Sequence, residues 1–589
     1  MKPSYPWLSP SGGRPRLGSY SKRVLVTMEA TNIDHDLLID DEFDALSIEI
    51  KAPKEKPIEL PKKFPAKLHA RKVAEILGAQ NGIIYLPGQV EETWEDSDQG
   101  PPFRQRRYFY YITGADFPGC SVTYDIAADK LTLWIPYTAP ATALWFGSTP
   151  TPDDCLARCD VHDVQYATGL QAYLAARLAC VRALFVLRAS QLPRFDGFEQ
   201  LKPRLRIDVG SLMPAMNEAR LVKSDYEVAM IRKANEVSSA AHRVIARALS
   251  GYTNECQIEA AFVSECIARN AHAQAYPVIA GSGANASTLH YGSNDAPLAG
   301  RELVVVDAGA EWACYASDVT RTLPLGLGGK FSPRAQAIYD VVLRMQTECV
   351  ARVRPGVAFR DLQLHATMVA VEGLLALGIF RRQFSADEIF RAGTGAAFFP
   401  HGLGHHVGLD VHDVLSRELL RPVSEGMWGK RRPVGPQTVR AMIRQQQTAA
   451  AAPSTGTDNN NNNSGEGKQP QPQPQPQTPS PSPKKRPSSS STTTSSRPHS
   501  PSSPSSSSSS KYGVLQPNMV ITIEPGIYFC RSYIESYFLK EGGEHRRFFD
   551  LDALDRYWAV GGVRIEDCVL VTPDGCENLT SAPKIGVDE

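Results

Sequence analysis

No uninterrupted apolar run in this chain of 589 residues reaches the roughly 18 residues of a membrane span. The best candidate, Leu174 to Leu187, is broken by Arg177 and Arg182, so no membrane partner is expected. Charge of one sign is not in excess either: Lys+Arg and Asp+Glu both number 63. The chain therefore lacks the global field that would draw it to nucleic acid. The basic clusters at Arg16, Arg23 and Lys484-Lys485-Arg486 have no interleaved aromatics to form a binding face. Cysteine is sparse, scattered and odd in number, at 11. Only Cys155 and Cys159 are close, and no matching second pair completes a zinc knuckle. Free thiols of a reducing compartment are the expectation. Nucleotide loops are missing: Gly281-Ser282-Gly283 is not followed by the further glycine of a dinucleotide loop, and no P-loop lysine occurs. The first 28 residues contain no acid, and Lys2, Arg14, Arg16, Lys22 and Arg23 suit a mitochondrial transit peptide. Pro3, Pro6, Pro10, Pro15, Gly12 and Gly13 oppose an amphipathic helix there. A cytoplasmic protein with a disordered extension is expected instead.

What is present is enough chain for two or three domains. Residues 1–64 read as an extension. A helical pattern opens the globular part at Lys67–Leu77, and strand-like runs follow at 82–86, 108–112, 121–124 and 131–136. A helix around Leu170–Leu187 and an apolar run at Ala183–Leu187 complete an α/β domain over 65–212. A second domain is expected over 220–428 and 511–580. It opens on a helix capped by Ser224 or Asp225, with Val228, Ile231, Ala234, Val237, Ala240 and Ala241 at helical spacing. Further helices are expected at Glu255–Arg269, Arg334–Val353 and Phe359–Leu377. Residues 429–510 run through Gln, Asn, Gln-Pro and Ser-rich tracts that cannot bury enough apolar surface to offset their conformational entropy. They read as a disordered insertion. A surface loop tolerates it because closure entropy grows slowly with length.

Five candidate metal ligands stand in local phrases. Asp307 ends the apolar run Leu303–Val306, and Asp318 lies in Ser317-Asp318-Val319-Thr320. His405 sits in His401-Gly402-Leu403-Gly404-His405-His406, ahead of Asp410-Val411-His412-Asp413. Glu524 lies in Ile523-Glu524-Pro525-Gly526, and Glu566 in Arg564-Ile565-Glu566-Asp567. Four carboxylates and an imidazole are mostly hard oxygen ligands, suited to a pair of divalent ions. Such a pair supplies hydrolytic chemistry. A turn at Trp312-Ala313 would place Asp307 and Asp318 opposite each other on an antiparallel ladder. Their mutual repulsion would call for a cation. Taken singly, each glutamate could be an ordinary edge charge; the set of five favours a metal site.

These phrases resemble the aminopeptidase P and prolidase family, metallopeptidases of pita-bread fold that act at proline. The likeness covers about Lys67 to Thr572 apart from the insertion. It implies an α/β (α+β) protein: a creatinase-like amino-terminal domain, marked by Arg107–Gly114, and a pita-bread catalytic domain with a disordered insertion. It implies two divalent metal ions, Mn²⁺ by expectation, held by Asp307, Asp318, His405, Glu524 and Glu566, with Asp318 and Glu566 bridging. Glu524 would also be the general base. His290, His401 and His412 would be substrate or transition-state donors, and Arg564 would bind substrate oxygens. The expected substrates are peptides with proline second, cut by an Xaa-Pro aminopeptidase. A prolidase limited to dipeptides shares every ligand, and a non-catalytic binding module would show itself by ligand loss. A homo-oligomer is implied as well.

Overall fold

A computed structural model of the chain describes residues 61, 63–326, 328–420 and 511–585. Nearly all of the expected amino-terminal extension, the insertion 429–510 with its Lys484 cluster, and residues 421–428 lie outside the described residues. Among those described, no helix is long and apolar enough to cross a membrane.

The first region is a six-stranded sheet in the order β4-β3-β2-β1-β5-β6. Its strands are β1 (Ile83–Pro87), β2 (Ser121–Asp125), β3 (Lys130–Ile135), β4 (Asp163–Tyr166), β5 (Ala183–Phe185) and β6 (Arg206–Asp208). The β1-β2-β3 ladder is antiparallel, whereas β4, β5 and β6 pair in parallel. The opening helix Ala66–Leu77 buries Ala66, Ala70, Val73 and Ala74. Two expectations need correction. Arg107–Thr113 is a helix, not a strand. Phe109, Tyr110, Tyr111 and Ile112 are all buried, so packing on several sides overrides the strand preference of aromatic residues. The helix from Leu170 stops at Leu178, and the apolar run after it supplies β5.

Ser224 opens the second region with a capping box: its hydroxyl accepts from the Glu227 amide, and the Glu227 carboxylate accepts from the Ser224 amide. The helix that follows runs Asp225–Ala248. Helices at Glu255–Ala268, Pro333–Val350 and Phe359–Ala376 stand where periodicity places them. The strands here are short: β7 (Ala273–Gln274), β8 (Ile279–Ser282), β9 (Leu303–Asp307), β10 (Ala310–Trp312), β11 (Tyr315–Ala316) and β12 (Thr320–Pro324). After residue 510 come β13 (Val520–Ile523), β14 (Gly526–Tyr528), β15 (Gly562–Arg564), β16 (Asp567–Val571) and β17 (Cys576–Asn578). They form small antiparallel sheets, β12-β9-β8, β11-β10-β7, β13-β16-β17 and β14-β15.

One hydrophobic core joins the two regions. Ala70, Val73, Tyr111 and Met216 belong to the same buried cluster as Ile231, Tyr315, Val407, Val520 and Cys568. Ion pairs cross in the same place. Arg107 pairs with Glu311, and Arg104 with Asp410 at 3.0 Å. Arg220 and Lys223 both reach the buried Asp413, at 2.6 and 3.1 Å. The chain stretch that carries His412 is therefore held from the first region.

Candidate metal centre

The β9–β12 excursion brings the first two carboxylates together, but not in the expected register. The turn lies at Ala313-Cys314, both with positive φ (46° and 65°), rather than at Trp312-Ala313. Two successive left-handed residues suit a tight hairpin turn. Trp312 then pairs with Tyr315, and Asp307 with Thr320. Asp318 is thus displaced by two residues from the position facing Asp307. The two side chains converge nevertheless. The Tyr276 hydroxyl stands between them, 2.7 Å from Asp307 Oδ1 and 2.6 Å from Asp318 Oδ1.

His405 and Glu524 come from two adjacent segments. The Thr522 amide donates to the His405 carbonyl and the Glu524 amide to the Leu403 carbonyl, which lays residues 403–407 along β13. Gly404 is required there: a Cβ would fall 2.1 Å from the Thr522 carbonyl oxygen. His405 Nε2 lies 3.2 Å from Asp318 Oδ2 and 3.3 Å from Glu524 Oε1. The Thr522 hydroxyl donates to Glu524 Oε1 at 3.1 Å and accepts from the His405 amide.

Glu566 sits in a break between β15 and β16, so Arg564, Glu566 and Cys568 do not share one continuous strand. Its backbone pairs with Thr320 instead. The Thr320 hydroxyl donates to Glu566 Oε2 at 2.6 Å, while Oε1 is buried with no partner among the described residues.

All five expected ligands fall in overlapping groups. Ligand atoms of Asp307, Asp318 and Glu566 lie within 4.8 Å of one another, as do those of His405, Glu524 and Glu566. Four carboxylates so close and so buried perturb one another. Burial and the Asp318 and Asp307 charges raise the Glu524 carboxyl to about 7, against the pull of His405. Burial with the same neighbours pushes Glu566 well above the usual range, and Asp318 is raised for the same reasons. Burial alone would lower His405; its bond to Asp318 and the Glu524 charge outweigh that and raise it to about 9. The donor set and the orphaned Glu566 Oε1 fit divalent cations, which would supply the missing positive charge.

The other expected residues are placed as follows. His412 packs its ring edge-on against His405 at 4.4 Å and is exposed. Its nitrogen falls within the same 4.8 Å range of Asp318 and His405, so it stands closer to the ligands than a pure substrate donor needs to. His290 is exposed. Both nitrogens of His401 are engaged: Nδ1 donates to the Gly402 carbonyl, and Nε2 accepts from the Tyr528 hydroxyl, each at 2.8 Å. Arg564 also turns inward. Nη2 reaches Asp307 Oδ2 at 2.6 Å, Nη1 reaches the Tyr528 hydroxyl at 3.0 Å, and Nε reaches the Thr320 hydroxyl at 3.2 Å. The sequence reading missed Tyr276, Tyr528, Thr320 and Thr522. Thr522 and Tyr528 flank Glu524 within one phrase and could have been flagged; Tyr276 carries no local signal.

Comparison with known proteins agrees with this geometry. The profile of metallopeptidase family M24 matches residues 229–438 and 495–573, and that of the aminopeptidase P N-terminal domain matches residues 66–185. A probable Xaa-Pro aminopeptidase of Colletotrichum graminicola is 48% identical over 94% of this chain and 97% of its own length. The chain belongs to the aminopeptidase P family of M24 metallopeptidases. A probable Xaa-Pro aminopeptidase of Metarhizium robertsii is likewise 48% identical over 94% of this chain and 97% of its own. Among solved structures, aminopeptidase P from E. coli with the inhibitor Pro-Leu superposes with a TM-score of 0.60 at 23% identity, covering 89% of this chain and 96% of that one. This likeness shows the shared fold: an aminopeptidase P-like first region followed by the pita-bread region.

Proposed function

We propose that this protein is a metal-dependent Xaa-Pro aminopeptidase, which hydrolyses the bond between an amino-terminal residue and a penultimate proline. The carrying observation is the convergence of Asp307, Asp318, His405, Glu524 and Glu566 within one buried cluster. The relatives that match nearly the whole chain bear the same activity in their names. Asp307, Asp318, His405, Glu524 and Glu566 would hold two divalent ions, and we assign Mn²⁺ because the donors are mostly hard oxygens. When bound, such a pair polarises the scissile carbonyl and makes water nucleophilic near neutral pH.

Glu524 is the general base. Of the ligands it is the least enclosed, flanked by Thr522 on its own strand, and it can take a proton from water and return it to the leaving proline nitrogen. His412 donates to the oxygen that gains charge in the transition state. Its ring packs edge-on against His405 at 4.4 Å, which places its nitrogen beside the ligand set. Tyr528 links Arg564 to His401, so these three hold one another in place on the Asp307 side of the site. The test is to incubate metal-loaded protein with Gly-Pro and with a longer Xaa-Pro-led peptide. Cleavage of the long peptide is expected. Cleavage of the dipeptide alone would make the protein a prolidase, and cleavage of neither would make it a binding module.

A further inference from the structure

Glu255 is a fully buried carboxylate that the chemistry above does not use. It is the first residue of the helix Glu255–Ala268 and is 0% exposed. The helix does not need it as a cap, because Asn254 and Gln257 already form a capping box. Its oxygens face instead into the segment that carries His290. Oε1 accepts from the Ser282 amide (2.7 Å), the Ser282 hydroxyl (2.6 Å) and Asn285 Nδ2 (3.1 Å). Oε2 accepts from the Tyr291 hydroxyl (2.8 Å) and the Ala296 amide (3.0 Å). Asn285 Nδ2 also donates to the Tyr291 hydroxyl at 3.0 Å, which closes the arrangement across the loop.

These donors bracket His290 in sequence, two before it and two after. The His290 ring itself has no hydrogen-bond partner among the described residues, so its place is set by the loop backbone. That backbone is confined on another side as well. A Cβ on Gly561 would fall 1.7 Å from the Gly283 carbonyl oxygen, and one on Gly562 would fall 2.3 Å from that of Ala286. Burial alone would raise the Glu255 carboxyl; the donors from Ser282, Asn285 and Tyr291 outweigh it and keep it below the usual range. It therefore acts as a carboxylate, with two oxygens able to gather five donors.

We propose that Glu255 is a positioning residue for His290, holding both ends of its loop so that the imidazole meets the substrate. This rests on the reading of His290 as a substrate or transition-state donor. Glu255→Gln turns one acceptor into a donor. The Tyr291 hydroxyl can rotate to accept from it, but the Ala296 amide cannot, so the loosened end is the one that follows His290. A misplaced group near the chemistry costs between about 10- and 100-fold in rate. Glu255→Gln should lose kcat in that range, with bound metal and thermal midpoint close to wild type. In a His290→Ala background the same change should cost less than about twofold, the scatter of independent sites. Tyr291→Phe removes only the hydroxyl next to His290 and should show the same pattern more weakly, which keeps the test intact if Glu255→Gln fails to fold. Full multiplication of the losses in the double variant, or loss of metal from either single variant, would overturn the positioning role. An unchanged rate for His290→Ala would instead remove the reading of His290 on which the inference stands.

Discussion

Replacing Asp318 by asparagine tests the dinuclear assignment most directly. Asp318 is 5% exposed, and its two oxygens do different work. Oδ1 meets the Tyr276 hydroxyl at 2.6 Å, and Oδ2 faces His405 Nε2 at 3.2 Å. Its ligand atoms group with Asp307 and Glu566 on one side and with His405 and His412 on the other. That position would suit Asp318 to a bridge if two ions are bound. Asp318→Asn keeps the shape and one acceptor but removes a negative charge from both. With Asp307, Glu524 and Glu566 ionised, the remaining carboxylates carry three charges against the four of two divalent ions. Loss of a mere supporting partner to a ligand costs ~10- to 100-fold in metal affinity; loss of a charged bridge should exceed that. The variant should therefore retain fewer than two ions per chain after dialysis, read by elemental mass spectrometry, and its turnover should fall with its metal. Two retained ions with near-normal turnover would refute the dinuclear reading, whatever the family likeness.

Other outcomes follow from the same geometry. His412→Ala should cost ~10²–10³ in kcat while both ions stay bound, as for the loss of a transition-state donor; a fall in metal content would instead make His412 a ligand. Gly404→Ala must force its methyl against the Thr522 carbonyl oxygen, so about 1–3 kcal/mol of stability should be lost by overpacking, read by chemical denaturation; an unchanged midpoint would contradict the close approach of 403–407 to β13. Metal removal should make stability depend on pH in a stated direction. Glu524 and Glu566 have raised folded-state values, so the native apo protein binds more protons than the unfolded chain, and its stability should fall as pH rises from about 4.3 toward 7 and above. The loaded protein should lack that slope. We also propose a homo-oligomer, and a monomer mass by light scattering at micromolar concentration would contradict it.

The parts of the site legible in sequence were those written locally. Asp307, Glu524 and Glu566 end or interrupt apolar strand phrases, and His405 stands in a short Gly- and His-rich phrase of its own. Register was not legible. The turn at Ala313-Cys314 places two ordinary L-residues at positive φ without the Gly or Asn that normally marks such a turn. The expected position was therefore off by one residue. The helix Arg107–Thr113 was misread because its aromatics favour strands in isolation, whereas here they are buried on several faces. The strand break at Glu566 and the roles of Tyr276 and Glu255 depend on partners 27 or more residues away, or on a distant backbone pairing, and no local pattern encodes them. Arg564 is expected from sequence to bind substrate oxygens; its three donors serve Asp307, Tyr528 and Thr320 instead.

The register error did not displace the site, and the reason says how the site is built. Asp307 and Asp318 are not opposed by the ladder alone. They are drawn together by a third group, the Tyr276 hydroxyl, and joined to Glu566 through the Thr320 hydroxyl opposite Asp307. Arg564 then ties Thr320 and Asp307 to Tyr528, and Tyr528 to His401. Thr522 does the corresponding work on the other side, between His405 and Glu524. Ligands from four separate stretches of chain are thus held by neutral hydroxyls and a single guanidinium. Hydroxyls can orient carboxylates without cancelling their charge, and one guanidinium cancels only one. Four carboxylates crowded where each is nearly buried then hold on to protons, as the raised values of Asp318, Glu524 and Glu566 show, and one oxygen of Glu566 stays unpaired. A frame that orients these carboxylates so firmly, with so little fixed positive charge among them, is completed by protons when empty and by divalent cations when loaded. The geometry is therefore that of a metal centre rather than of a structural ion-pair network, such as the one in which Arg321 and Lys584 neutralise the neighbouring Asp567.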